Sequence, residues 1–491
     1  MTEPQNNSLY YGDNLPILRG FPDAIVDLVY LDPPFNSKAD YNAIFRDESD
    51  QRTVAQIKAF EDTWHWGPSA EEHFAYLTNT GMHKGHVPAE ATAMIAAFVS
   101  SLGKNQMTAY LVEMTVRLVE LRRVLKQTGS LYLHCDPTAS HYLKIMLDAI
   151  FGAKQFLNEI VWCHYGGGQS KKWFPRKHDT ILVYRKSEEW TFNADAVRVP
   201  YESEYRSTVF GKAGDPDRKV YLPNPLGKLP EDFWIMPRPY GKEVLGYPTQ
   251  KPIALLERII AASSNPGDIV LDPFCGCGTA VAAAQKLGRN WIGIDLTYLS
   301  IAVMKKRMQD HYPELGRISV VGAPTELEGA RRLAADEENG RYQFQWWALD
   351  QIGATPRGGE KKKGADGGID GIITFSDVEE MKRVIISVKS GGVQVKDIRE
   401  LANVVERDKA AIGVLVTLED PSRPMRDEAA QAGSWHSELF GKDYPKIQII
   451  TAKEILEDEK KPDLPPLISE QYRKAERMQK KAGAQGELFT E

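Results

Sequence analysis

The chain has 491 residues, a formal net charge of -6, and 26% charged against 42% hydrophobic residues, enough to bury a core in each of two or three domains. The slightly acidic balance excludes a global attraction to polyanions, so any nucleic-acid contact must come from local basic patches. There is no basic-then-apolar leader and no apolar run of about 20 residues, and Cys135, Cys163, Cys275 and Cys277 show neither zinc spacing nor a disulfide framework, which sets the expectation of a soluble intracellular protein.

In chain order, Ser8-Leu9-Tyr10-Tyr11 reads as a short strand, with Asp13 in the turn before a helix from Leu15 to Arg19. The apolar run Ala24 to Tyr30 reads as a buried strand ending in Leu31-Asp32-Pro33-Pro34-Phe35. Open α/β sheets bind their ligands at such strand ends. The prolines stiffen the turn and leave carbonyls free to accept, Asp32 accepts when ionised, and Phe35 offers a flat apolar face. A planar ring with an exocyclic amine fits this set: stacked on Phe35, its N–H groups held by Asp32 and a proline carbonyl. The plainer reading is a turn that closes a core strand, with Asp32 as a cap.

Residues 36–106 are polar and mixed, with one aromatic cluster from Phe60 to Trp66. Their length suggests a lid or DNA-facing insertion, while Trp64 and Trp66 suit core anchoring. From Met107 to Lys126 apolar residues recur at helical spacing, and Leu131 to Leu133 is the next strand. His134 and Asp136 at its end form a tempting acid/base pair, with a structural or substrate-positioning role favoured. After the strand Glu159 to Cys163, the stretch 165–177 combines glycines, two adjacent aromatics and the basic residues Lys171, Lys172, Arg176 and Lys177. That mixture suits gripping phosphates and propping open a base stack, against the alternative of a solvated loop. Residues 187–246 are rich in Pro, Tyr and charge with weak periodicity.

A second chemistry-bearing stretch runs from Asp268 through Leu271-Asp272-Pro273-Phe274-Cys275-Gly276-Cys277-Gly278-Thr279 into a small-residue helix, then the strand Trp291 to Asp295. Asp272 and Asp295 are 23 residues apart, close to the roughly 20 expected between a nucleotide-binding loop and the acid that holds ribose hydroxyls. This is a βαβ unit for an adenosine-bearing cofactor, in which Gly276 and Gly278 allow close backbone approach.

The early Asp32-Pro33-Pro34-Phe35 and the late Asp272-Pro273-Phe274-Cys275-Gly276-Cys277-Gly278-Thr279 together resemble amino-methylating DNA methyltransferases of the permuted β group. Tyr247-Pro248-Thr249-Gln250-Lys251-Pro252, the segment Met107 to Leu133 and His178 to Tyr184 fit the same pattern, so the resemblance covers about two-thirds of the chain. The family usually has Ser or Thr where Cys277 stands. The resemblance implies a Rossmann-like S-adenosylmethionine-dependent methyltransferase sheet in permuted order. It assigns catalysis to Asp32, Pro33, Pro34 and Phe35, and cofactor contacts to Asp13, Asp272, Phe274, Gly276, Gly278, Thr279 and Asp295, with Lys251 reaching the cofactor's carboxylate. It also makes 187–246 the target-recognition region and double-stranded DNA the partner. Adenine N6 is the expected target, because cytosine-N4 members tend to carry Ser at position 32. Cytosine N4 remains the alternative. RNA or protein-glutamine methylases usually begin the motif with Asn and place the cofactor loop first.

Charged, small residues from 326 to 340 read as a linker between a methyltransferase domain (1–325) and a second α/β domain (341–456). There, an aromatic-rich helix, a basic glycine loop, Asp370, the strand Val384 to Lys389, the helix Lys396 to Arg407 and the strand Ala411 to Thr417 resemble Mrr-type restriction endonucleases. Asp370 takes the first metal-ligand position and Lys389 the catalytic lysine. The residue two before the lysine is usually an acid or Gln and here is Ser387, a weak ligand for a divalent metal. No metal site is therefore assured; a DNA-binding or specificity module derived from a nuclease is favoured over an active one, and Mg2+ is expected only if this domain cuts DNA, which would make the chain a fused restriction-modification enzyme. Glu400 is a further candidate carboxylate, and the charged tail 457–491 is expected to be partly disordered. The overall expectation is a cytoplasmic protein, prokaryotic or phage-encoded, monomeric or homodimeric, with no membrane association.

Overall fold

The computed structural model describes residues 3–34, 40–45, 55–61, 65–164, 172, 174–201, 208–210, 219–221, 223–245, 247, 249–316, 318–336, 340–356, 368–377 and 380–466. Two compact units emerge: 1–304 with 319–323, and 305–318 with 324–491.

The first unit is built on a nine-stranded sheet. Its spatial order is Phe233–Ile235, Phe156–Cys163, His178–Arg185, Leu125–Cys135, Val26–Leu31, Ile269–Asp272, Asn290–Asp295, Ser8–Tyr11 and Ser319–Val321. His178–Arg185 is antiparallel to both of its neighbours, and every other pairing is parallel. A strand buried on both faces reads as a continuous apolar run, and Val26–Leu31 is buried at all positions except Asp27. Because all but one strand run the same way, the residues just past Tyr11, Leu31, Cys135, Cys163, Asp272 and Asp295 share one edge of the sheet. The antiparallel strand begins there with His178 and Asp179.

The helix Gln106–Val124 packs into the core through Leu111, Met114, Leu118 and Leu121. The adjoining strand starts at Leu125, six residues before the stretch that the sequence marks. Much of the expected lid is a helical layer instead. Pro68–Thr78 and Ala89–Leu102 bury Leu77, Ala91, Ile95 and Val99 in the same core. Trp66 packs edge-on against Phe74, ring centroids 5.8 Å apart, whereas Trp64 lies outside the described residues.

The second unit has its own sheet in the order Thr355–Pro356, Gly371–Asp377, Glu380–Lys389, Ile412–Thr417, Ile447–Thr451. Its core gathers Ile369, Ile385, Ile398, Leu401, Val405, Leu415 and Met425. The stretch expected as a linker holds the helix Leu327–Ala335, which belongs to this unit. Among the described residues, no helix is long and apolar enough to cross a membrane.

Candidate active site

Val29 pairs with Leu271 and Leu31 with Leu133, so the turn after Asp32 and the loop after Asp272 leave the sheet side by side. Asp32 accepts an ion-paired hydrogen bond on Oδ2 from the Lys251 ammonium, 219 residues away in sequence. Lys251 is only 7% exposed and also donates to the Thr249 carbonyl at 3.3 Å. Sequence reasoning aimed this lysine at the cofactor's carboxylate; in the structure its ammonium sits on Asp32. Pro33 is buried and Pro34 half-buried, while Phe35 lies outside the described residues.

Backbone amides and two carboxylates shape the cofactor loop. Asp272 accepts the Phe274 N–H at 3.1 Å, Asp295 Oδ2 accepts the Gly276 N–H at 2.9 Å, and Asp295 Oδ1 accepts the Thr297 N–H at 2.9 Å. Gly276 and Gly278 have φ of +49° and +72°, where a side chain is strained. A Cβ on Gly278 would stand 2.4 Å from Met304 Cγ, and one on Gly276 3.3 Å from the Tyr247 ring. Tyr247 is itself fixed by a 2.9 Å hydrogen bond to Ser300. Thr279 begins the helix Thr279–Lys286, and Phe274 packs half-buried on the core. Leu296, 65% exposed directly after Asp295, adds an apolar face that no sequence motif marked.

Asp13 caps the helix Asn14–Gly20 by accepting the Leu15 N–H at 3.0 Å, and the same oxygen accepts from Arg117 at 2.9 Å. Arg117 also donates to Asn14 at 2.7 Å, and Asn14 donates to the Pro273 carbonyl at 2.8 Å. The Asp13 turn is thus tied to the cofactor loop through a buried guanidinium. Arg117 also meets Glu113 at 2.7 Å. Burial pushes the Glu113 carboxyl up, but bonds from His73 and Arg117 outweigh it and hold it down at about 2.

The edge is acidic. Asp13, Asp32, Asp136, Asp179, Asp272 and Asp295 all lie on it. Burial above all, then the charges of Asp32 and Asp295, drives the Asp272 carboxyl well above the usual carboxylate range. Burial likewise raises Asp295. The part of this shift that comes from neighbouring carboxylates is relieved by a cation placed among them. An adenosine-bearing sulfonium fits the glycine approach, the apolar face of Leu296 and the sign of this field.

His134 and Asp136 do not pair. His134 Nδ1 lies 3.0 Å from the Tyr30 hydroxyl, and its Nε2 lies 3.4 Å from Asp179. Asp136 instead accepts from the Thr138 and Ala139 backbone at 3.0 and 3.2 Å, closing the turn before the helix Ser140–Phe151. The buried Tyr30–His134–Asp179 chain therefore braces the strand that carries Asp32, a role consistent with the structural alternative. In the basic stretch, Lys172 and Arg176 are exposed, Lys177 is half-buried and Phe174 is 95% exposed. Lys171 and Trp173 lie outside the described residues.

In the second unit, Asp370 accepts the Val388 N–H at 2.7 Å and the Ser387 hydroxyl at 3.5 Å. Lys389 lies 3.9 Å from Asp397, a carboxylate that sequence reasoning passed over in favour of Glu400. Among the described residues, no group of three or more His, Cys, Asp or Glu is arranged to hold a metal ion.

Residues 26–304 match the family described as DNA methylase (N6_N4_Mtase), and residues 342–457 match NACHT-associated inactive Restriction Endonuclease 1. The Type II methyltransferase M1.MboII of Moraxella bovis is 40% identical over 181 residues, 35% of this chain and 69% of that protein. The DNA adenine methyltransferase YhdJ of Escherichia coli is 35% identical over 203 residues, 40% of this chain and 66% of that protein. The solved M1.HpyAVI–SAM complex is 20% identical, covering 61% of this chain and 98% of its own, with a TM-score of 0.33. With more than half of its length matched, this chain belongs to the N6/N4 class of DNA methylases.

Proposed function

We propose that the protein is a site-specific DNA methyltransferase that moves a methyl group from S-adenosylmethionine to N6 of adenine in double-stranded DNA. The observation that carries this reading is the placement of Asp32 at a strand end directly beside the glycine loop from Asp272 to Thr279. S-adenosylmethionine supplies an electrophilic methyl on a positively charged sulfur. The chain supplies orientation. Among the described residues nothing donates to Asp32 Oδ1, which accepts one N–H of the target amine while Lys251 holds Oδ2. The Pro33 carbonyl accepts the second N–H, and Phe35 stacks on the extruded base. Asp272, Phe274, Gly276, Gly278 and Thr279 line the cofactor, Asp295 faces its ribose, and the Asp13 turn borders its adenine.

Asp at position 32, where cytosine-N4 members tend to carry Ser, favours adenine, and one relative is described as a DNA adenine methyltransferase. Lys171, Lys172, Arg176 and Lys177 grip the phosphate backbone, and 187–246 reads the sequence. The setting is the cytoplasm of a prokaryotic cell. Single-molecule sequencing of DNA from a methylation-free bacterial strain expressing this protein tests the reading. Modified adenine in one short motif is the expected outcome. Modified cytosine overturns the base assignment, and unmodified DNA from a strain with soluble protein overturns the activity.

A further inference from the structure

A cavity of about 350 Å3 lies at the far end of the same sheet from Asp32. Asp23 and Ala24, on its wall, precede the strand Val26–Leu31, which separates the cavity from Asp32 by about 20 Å at 3.3 Å per residue. Pro88, Val119 and Ile150 supply apolar wall, and three cations, Arg122, Arg123 and Lys186, also line it.

Two of those cations have structural employment. Arg123 donates to Glu120 at 2.7 Å, Asp23 at 2.6 Å, and the Leu18 and Phe21 carbonyls at 2.7 and 2.8 Å. That set engages Oδ1 of Asp23, the acid among the residues lining the cavity. Lys186 donates to the Arg123 and Leu125 carbonyls, which occupies two of its three N–H groups. His86, also on the wall, is engaged with Glu120 at 2.9 Å.

Arg122 differs. Among the described residues it forms no ion pair, and its Nε is enclosed without a hydrogen-bond partner. The Lys186 ammonium is pushed below the ordinary lysine range, first by burial and then by the Arg122 charge. Arg122 and Lys186 thus face one cavity whose lining acid, Asp23, is bonded through Oδ1 to Arg123 and only partly offsets the charge on Lys186.

We propose that this cavity binds a small phosphorylated anion of the mononucleotide class. Arg122 presents its planar fork to two phosphate oxygens, Lys186 donates its remaining N–H, and the aliphatic wall covers the apolar part of the ligand. The volume suits this, since it exceeds what a lone phosphate needs and lies in the ordinary range of small-molecule pockets. The inference does not depend on which base is methylated.

Calorimetric titration of the full chain tests it, with inorganic phosphate and then UMP as probes at constant ionic strength. The cofactor site is first saturated with S-adenosylhomocysteine so that the probes cannot bind there. Wild type should bind both, UMP more tightly. Arg122→Gln should weaken both by about tenfold or more, the value of one bidentate charge-assisted contact. The variant should fold, with an unchanged or higher Tm because a like charge beside Lys186 is gone, and should methylate DNA at the wild-type rate. Equal affinity in wild type and Arg122→Gln, or no heat from wild type up to about 10 mM probe, overturns the proposal. So does loss of affinity for duplex DNA alone in the variant, which would make Arg122 a backbone contact.

Discussion

In the proposed reaction Asp32 carries the heaviest chemical demand of any residue, and its surroundings dictate how that role must be tested. Removing its charge strands the buried Lys251 ammonium, and an uncompensated buried charge costs about 3–5 kcal/mol. The informative variant is therefore Asp32→Asn, which keeps the volume, read alongside Asp32→Asn/Lys251→Met, which removes both charges. Each should lose methyl transfer by about 100- to 1000-fold while S-adenosylmethionine binding persists in a filter or calorimetric assay. A near-normal rate in either, with the fold intact by thermal melt, removes Asp32 from the mechanism. Asp272 makes the opposite case. Its folded carboxyl titrates well above the unfolded value because it is buried beside other acids. A raised folded pKa means that the native state binds its proton more readily, so stability is present at low pH and is lost as pH rises through that pKa. Asp272→Asn keeps the acceptor for the Phe274 N–H and should raise Tm near pH 7.5, by about 2–4 °C for each kcal/mol relieved. The gain should shrink as the pH is lowered toward 4. A gain that grows on acidification would contradict the burial argument.

At the scale of elements, the cofactor loop is held by a backbone conformation and a packing contact that can be separated. Gly278 has φ of +72°, and a Cβ there meets Met304 Cγ at 2.4 Å. Gly278→Ala should cost about 1–3 kcal/mol in chemical denaturation and weaken cofactor binding. Adding Met304→Ala should restore the part due to the clash and leave the part due to φ. Full recovery in the double variant would show that the left-handed geometry carries no strain. This loop was legible because its constraints are local: a strand, two glycines and an acid 23 residues on are all short-range signals. The Asp32–Lys251 pair joins residues 219 apart, and the Arg117 tie from Asp13 to Glu113 crosses about a hundred, so only the folded sheet brings them together. Asp136 was marked beside His134 by proximity alone, yet strand alternation and the turn sent the two side chains to different partners. The helix Ala89–Leu102 is a different kind of omission. Ala91, Ile95 and Val99 recur every four residues, a helical stripe that the surrounding polar composition obscured.

For the whole molecule, the open question of chemistry is whether the second unit cuts what the first one modifies. A divalent metal needs several oxygen ligands, preferably charged, converging on one point. Asp370 is the natural first ligand, but it accepts the Val388 N–H at 2.7 Å and faces a neutral hydroxyl on Ser387 rather than a second acid. Lys389, which would have to stabilise the developing phosphate charge, lies 3.9 Å from Asp397. Asp397 in turn is committed to its helix start, where it accepts the Gln394 N–H at 2.7 Å in a capping box. Each residue that a nuclease would use is thus engaged by its own scaffold. Supercoiled plasmid incubated with the protein and Mg2+ or Mn2+ should therefore stay uncut, and Asp370→Ala and Lys389→Ala should methylate DNA at the wild-type rate. Ser387→Glu places a second carboxylate beside Asp370 and is the change most able to create metal binding, detectable as a Mn2+-dependent rise in Tm. Nicking by wild type that Asp370→Ala abolishes would show that one carboxylate and the backbone suffice to hold the metal, and would turn this methylase into an enzyme that both marks and cuts.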